Sequence, residues 1–289
     1  MKLSTTTSAL FKCFGYEEGI RAAASAGFDA LDMNLIEPIY DEEFSDEKLE
    51  STCELLRNTA DKAGICFNQS HAPFPVYSFA DSEYNERVSA ALERSVRAAG
   101  LIGAERIVIH PIDCPDKSTQ KQFNVDFYKS LIPMSEKYGV KLALENMWGY
   151  DNINKKIIPN VCSFGRDLGD YYDALDKEHF DVCFDTGHCG LVGQSASEAI
   201  YELGGERLHA LHVHDNDNIN DLHAAPYHGA LDWDAITKAL ADVGYKGDFT
   251  YEVGEILAFY RDMPKLMIKA LELLAETGRY LIEKFSQNS

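Results

Sequence analysis

Nine acids and imidazoles stand at or just past the ends of short apolar segments, where side chains from separate parts of the chain could meet. They are His71 in Ser70-His71-Ala72-Pro73-Phe74, His110 in Val108-Ile109-His110-Pro111, and Glu145 in Ala143-Leu144-Glu145-Asn146. Asp185 and His188 follow in Cys183-Phe184-Asp185-Thr186-Gly187-His188, His212 in Leu211-His212-Val213-His214-Asp215-Asn216, then Asp221, His223 and Glu252. Every donor is a carboxylate oxygen or an imidazole nitrogen. That mixture suits Mn²⁺, Mg²⁺, Co²⁺ or Zn²⁺ and disfavours thiolate-selective metals. Acids gathered away from water also need a cation, because otherwise they repel one another or take up protons. Taken singly, such an acid is more often a helix cap or a surface residue, and a lone histidine more often a surface or packing group. Acids and histidines in matching phase on five strands are much less easily explained as packing.

The elements that must position them are legible as alternation. Short apolar segments alternate with longer amphipathic ones, the pattern of repeated βα units. Strands are expected near Leu3 to Thr6, Phe28 to Asn34, Ile65 to His71, Arg106 to His110, Val140 to Glu145, Phe180 to Asp185, Arg207 to Val213 and Asp248 to Val253. Gly27, Gly64, Gly139 and Gly244 read as left-handed helix stops, Ser45 as a helix start, and Asp262 with Pro264 as the start of the last helix. Residues two apart in a strand share a face. Counting back from the polar ends puts Val108, Ala143, Cys183, Ala210 and Thr250 inside, and Ile107, Ile109, Leu142, Leu144, Val182, Phe184, Phe249 and Tyr251 outside. An open sheet would spread the polar ends along its edge, whereas a closed (β/α)8 TIM barrel brings them to one mouth. The expected fold is therefore α/β: a parallel, eight-stranded closed sheet with outer helices.

The 289 residues contain no linker or low-complexity tract, so a single TIM-barrel domain over 1–289 is expected. The net charge of -20 argues against a nucleic-acid partner. Seven scattered cysteines, an N-terminus without a signal-peptide core and no stretch apolar enough to span a membrane fit a soluble, cytoplasmic protein.

The order His-Pro, Leu-Glu-Asn, Phe-Asp-Thr-Gly-His, His-Val-His-Asp-Asn, Asp-Leu-His before Gly229-Ala230-Leu231-Asp232-Trp233, then Tyr-Glu-Val resembles the xylose isomerase-like TIM-barrel superfamily. The likeness runs from about Gly15 to the last helix. That superfamily holds sugar and sugar-phosphate isomerases and epimerases, inosose dehydratases and endonuclease IV. In its ketose 3-epimerase branch the resemblance implies one metal on Glu145, Asp185, His212 and Glu252. Glu145 and Glu252 would also exchange a proton with the carbon beside a carbonyl, through an enediolate. His71, His110, His188, Asp221 and His223 would bind further metal or substrate. His188, Trp148, Phe74 and His214 are the expected substrate contacts, with rim packing the alternative for the two aromatics. The branch also expects an acid soon after the first Glu, for which Asp151 could stand in, and an Arg near the position of Asn218. The implied activity is that of a metal-dependent isomerase or epimerase on a sugar, sugar phosphate or polyol. Two alternatives stay open: an endonuclease IV-like enzyme holding three zinc ions on all nine residues, and a sugar-binding barrel without turnover. Relatives are often dimers or tetramers, so a homo-oligomer is open too, although no interface motif is visible.

Overall fold

The computed structural model describes residues 1–288, the side chain of Glu255 left aside. Ten strands follow in chain order: β1 (Leu3–Thr6), β2 (Ala30–Asn34), β3 (Cys66–His71), β4 (Arg106–Ile109), β5 (Lys141–Glu145), β6 (Trp148–Asp151), β7 (Lys156–Pro159), β8 (Phe180–Asp185), β9 (Ala210–His212) and β10 (Phe249–Tyr251). Eight of them form a parallel sheet in the order β10-β1-β2-β3-β4-β5-β8-β9. The seam between β9 and β10 is bridged by Val213 and Tyr251, with Val213 N–H donating to the Thr250 carbonyl at 2.8 Å and Glu252 N–H to the Val213 carbonyl at 3.1 Å. The result is a TIM barrel with helices outside. Each of the eight expected strands is present, most of them shorter by a residue or more.

The pleat sorts the side chains as the alternation requires. Val108, Ala143, Cys183 and Ala210 form a small buried cluster of their own inside the ring. Ile107, Ile109, Leu142, Leu144, Val182 and Phe184 belong to the large core between sheet and helices. The other half of the interior is polar and internally hydrogen-bonded: Ser4 Oγ donates to Asn68 Oδ1 at 2.8 Å, Asn68 Nδ2 to Thr250 Oγ1 at 3.2 Å, and Gln69 Nε2 to Asp32 Oδ2 at 3.2 Å. These buried polar groups hydrogen-bond to one another, apart from Asp32 Oδ1, which has no partner. A register shift produces this layer. Leu31 pairs with Phe67 but Asp32 with Gln69, so Asn68 is an extra residue. Such a bulge re-aims side chains, and both Asn68 and Gln69 are buried.

The expected glycine stops at 27, 64, 139 and 244 all have positive φ, and Pro264 opens the final helix, Pro264–Asn288. Ser45 does not cap a helix with its side chain: it ends a 3-10 turn, Glu42–Phe44, and the helix Leu49–Ala63 begins beyond it. The antiparallel hairpin β6–β7 is a feature the alternation did not predict. Gly149 and Pro159 interrupt its strand pattern, and both residues normally count against a strand.

Candidate metal centre

Glu145 ends β5, Asp185 ends β8, His212 ends β9 and Glu252 follows β10, so parallel pairing in register delivers all four to the mouth. One donor atom from each lies within 4.8 Å of the others. His212 Nδ1 stands 2.7 Å from Glu145 Oε1 and 3.4 Å from Glu252 Oε2. Ligands about 2.1 Å from one ion are at most about 4.2 Å apart, so a small inward adjustment would let them share a cation.

Two further donor groups adjoin the first: His71, His110 and Glu145 on one side, and His188, His214, Asp221 and His223 on the other. Three of these histidines are oriented in the same way. His71 Nδ1 lies 2.7 Å from the Ala72 carbonyl, His188 Nδ1 2.8 Å from the Asn146 carbonyl and His223 Nδ1 2.8 Å from the Glu252 carbonyl. A carbonyl only accepts, so Nδ1 carries the proton and the opposite nitrogen of a neutral ring presents a lone pair. Those Nε2 atoms face Glu145 at 3.7 Å, Asp221 at 3.6 Å and Asp221 at 3.3 Å.

Asp185 both caps a helix and faces the cluster. Its Oδ1 accepts from the amides of Gly187 and His188 at 2.8 Å, while Oδ2 is buried without a partner. Glu145 Oε2 and Asp221 Oδ1 are likewise buried with no hydrogen bond, as is His214 Nε2, although Glu145 Oε2 lies 2.9 Å from His110 Nε2. Each unsatisfied buried group costs about 1–3 kcal/mol, more if charged. Orphaned oxygens and nitrogens within two of these donor groups, that of Glu145 and Asp185 and that of Asp221 and His214, fit divalent cations.

The electrostatics agree. Burial opposes ionisation of Glu145, but the imidazoles of His212, His110 and His71 hold its carboxyl well below the usual range. Burial opposes charge on Asp221 as well, and His188 and His223 override it in the same direction. Among the histidines, burial would lower all. Asp221, Glu252 and Asp185 instead lift His223 to about 10; Asp185, Asp221 and Glu145 raise His188; Cys183, Glu252, Glu145 and Asp32 raise His212. For His110 burial prevails and the imidazolium is disfavoured. Cys183 lies near Glu145 and His212, and desolvation pushes its thiol up to about 12, which disfavours the thiolate in the metal-free protein.

His214 has a more specific position than the sequence implied. Its ring stacks on His223 at 4.0 Å between centroids and its Nε2 lies 3.0 Å from Asp185 Oδ1. Room for it exists only because residue 187 is glycine: a Cβ there would sit 2.1 Å from His214 Cε1. Gly187→Ala should therefore destabilise by about 1–3 kcal/mol through overpacking, despite alanine's better helix propensity. A calorimetric Tm equal to or above that of the unaltered protein would refute this.

Phe74 stacks on His110 at 4.5 Å between centroids, and Trp148 Nε1 donates to Asp221 Oδ2 at 3.1 Å. Both line a cavity of about 240 Å³ that reaches His110. Asp151 does not enter the donor groups: its carboxylate accepts from Ile153, Asn154 and the Asn154 side chain, closing the tip of the hairpin. Asn218 lies outside the donor groups too, and lines outer clefts with Leu191. Asp32 and Asn146 were missed by the sequence reading. Asn146 exchanges hydrogen bonds with the Asp185 backbone at 2.7 and 2.9 Å, which ties β5 to the end of β8. The Gly229-Ala230-Leu231-Asp232-Trp233 motif is structural: Asp215 accepts from the Tyr227 and Leu231 amides and from Trp233 Nε1.

Among the described residues no helix is long and apolar enough to cross a membrane. Comparison with known proteins finds both sugar epimerases and uncharacterized proteins among the similar chains. The chain is 24% identical to the D-psicose 3-epimerase of Ruminiclostridium cellulolyticum, over 93% of this chain and 92% of that protein. With the uncharacterized protein y4fM of Sinorhizobium fredii identity is 27%, over 56% of this chain and only about half, 51%, of that relative. Among solved structures, D-psicose 3-epimerase with D-tagatose from Clostridium cellulolyticum H10 superposes with TM-score 0.73 at 20% identity, covering 97% and 99% of the two chains. The IOLI protein with a zinc atom gives 0.76 at 16% identity, covering 100% and 99%. Residues 20–277 match the family model described as xylose isomerase-like TIM barrel. With barrel, donor-bearing strand ends and family model in agreement over most of its length, the chain belongs to the xylose isomerase-like TIM-barrel family.

Proposed function

We propose that the protein is a divalent-metal-dependent isomerase or epimerase acting on a sugar, sugar phosphate or polyol by proton transfer beside a carbonyl. The observation that carries this is the meeting of two glutamates in one donor group with Asp185 and His212. Glu145 and Glu252 come from walls three strands apart around the ring, so they approach a bound carbon from different directions. A cation held by Glu145, Asp185, His212 and Glu252 would supply Lewis-acid stabilisation of negative charge on a substrate oxygen.

The chain's own groups divide the remaining work. Glu252 is the less enclosed acid, 15% exposed against 1% for Glu145, and takes the proton from the carbon. The C–H electron pair moves into the carbonyl to give the enediolate. Glu145, which takes up its proton from solvent, gives it to the carbon, from the other face in an epimerisation, and Glu252 releases the abstracted proton to solvent. His188, fixed by the Asn146 carbonyl, orients a hydroxyl, while Phe74 and Trp148 pack on the carbon face of the sugar. The relatives named for D-psicose support a ketose as the first substrate class to try.

The test is deuterium uptake from solvent into C3 of D-fructose or D-tagatose with Mn²⁺ present. Metal-dependent uptake is expected. A metal-loaded protein that binds these ketoses without exchange would be a sugar-binding barrel instead.

A second reading is kept because three donor groups lie side by side, two of them sharing Glu145, and offer places for three ions. Such a cluster would suit phosphodiester hydrolysis at abasic sites, against which the charge of -20 stands. Elemental analysis separates them: about one Mn²⁺ or Mg²⁺ per chain favours the epimerase, and three Zn²⁺ with cleavage of an abasic duplex favours the nuclease.

A further inference from the structure

We propose that Asp32 is the positioning residue for His212, accepting the Nε2 proton so that Nδ1 presents its lone pair to the group formed by Glu145, Asp185 and Glu252. The inference rests on the metal-dependent reading above and assigns a role to an acid from β2, a strand that supplies none of the metal donors. The ring of His212 is fully buried between two carboxylates. Nδ1 lies 2.7 Å from Glu145 Oε1, and Nε2 lies 3.2 Å from Asp32 Oδ2. Only one of these nitrogens can serve the cation, and the metal donors lie on the Nδ1 side.

His71, His188 and His223 are oriented by neutral backbone carbonyls. His212 is given a charged acceptor, which both fixes the ring and makes the opposite nitrogen more basic. Asp32 is itself 1% exposed, and among the described residues His212 is the only basic group within ion-pair distance of it. Burying a carboxylate for packing alone would be costly. Its placement is also built: the bulge at Asn68 brings Gln69 opposite Asp32, Gln69 Nε2 donates to Asp32 Oδ2 at 3.2 Å, and Thr250 Oγ1 donates to Gln69 Oε1 at 3.4 Å. A hydrogen-bonded line therefore runs from β10 through β3 and β2 to the imidazole on β9.

The test measures affinity for Zn²⁺ and Co²⁺ by competition with a chromophoric chelator, in the full-length protein and in the Asp32→Ala and Asp32→Asn variants. Imidazole ¹⁵N shifts of His212 are recorded in parallel, since a merely structural acid would leave them unchanged. Loss of such a partner weakens metal binding about 10–100-fold. That loss is expected for Asp32→Ala, with a smaller one for Asp32→Asn, whose amide oxygen still accepts but lacks charge. Should the alanine variant fail to fold, the asparagine variant decides through its affinity and ¹⁵N pattern. Affinities within about threefold of the unaltered protein, with unchanged shifts, would overturn the role of Asp32 alone. An unaltered protein that binds neither ion would overturn the metal-dependent reading and this inference together.

Discussion

Glu252→Gln is expected to lower kcat for ketose isomerisation or epimerisation by about 10²–10⁴-fold, the usual contribution of one acid–base group. Glutamine matches glutamate in shape and can still offer an oxygen to a cation, but it cannot accept a proton from carbon. Glu252 makes this a clean substitution, because its carboxylate contacts are long, 3.4 Å to His212 and 3.7 Å to His223. Its backbone carbonyl, which orients His223 at 2.8 Å, is untouched. Glu145→Gln differs in kind. Glu145 lies in three of the candidate donor groups, and its charge faces His212, His110 and His71, so that variant should lose metal affinity as well as turnover. The two outcomes separate in one experiment: measure turnover and C3 deuterium exchange at saturating Mn²⁺, and metal affinity independently. A Glu252→Gln protein that turns over within about tenfold of normal would remove it from the chemistry.

What the sequence revealed, and what it hid, follows from the range of the interactions involved. Strand position and facing are local, because alternation along a single segment records which side is buried. That is why Val108, Ala143, Cys183 and Ala210 could be placed inside and do form the inner cluster. The convergence of Glu145, Asp185, His212 and Glu252 follows once the strands are known to close. Asp32 was not legible, because its use depends on the pairing of β2 with β3 through a bulge at Asn68, and no local period carries that register. His214 was expected only as a substrate contact, yet it belongs to the donor group of His188, Asp221 and His223. Its neighbours are set by the gap that Gly187 leaves on another strand end. The tautomers of His71, His188 and His223 depend on carbonyls of Ala72, Asn146 and Glu252, groups that every residue carries and no residue type signals.

Metal loading should release protons, bind more tightly as pH rises and stabilise the fold. In the metal-free protein the imidazolium forms of His212 and His188 are favoured well above the ordinary range, and His223 is lifted to about 10, because nearby carboxylates outweigh burial. A cation on Glu145, Asp185, His212 and Glu252 must displace the proton held at His212 Nδ1, and a further ion on the group of His214 and Asp221 those of His188 and His223. Each proton displaced makes affinity rise about tenfold per pH unit until that group is already neutral. Calorimetric titration in buffers of different ionisation enthalpy counts the protons directly. The stability linkage runs the opposite way. A raised histidine contributes to the metal-free fold fully below about 6.5, and for His223 that contribution fades as pH climbs through about 10. The depressed carboxyls Glu145 and Asp221 contribute above about 4 and lose that contribution as pH falls. The metal-free protein should thus be most stable between those limits, and added metal should raise Tm by more at pH 8 than at pH 6. A free ion at a hundred times its Kd adds about 2.7 kcal/mol, which corresponds to about 4–5 °C in a chain of this size. Equal melting temperatures with chelator and with Mn²⁺ or Zn²⁺, and no proton release, would mean that the acids and imidazoles at the mouth neutralise one another as a purely structural network.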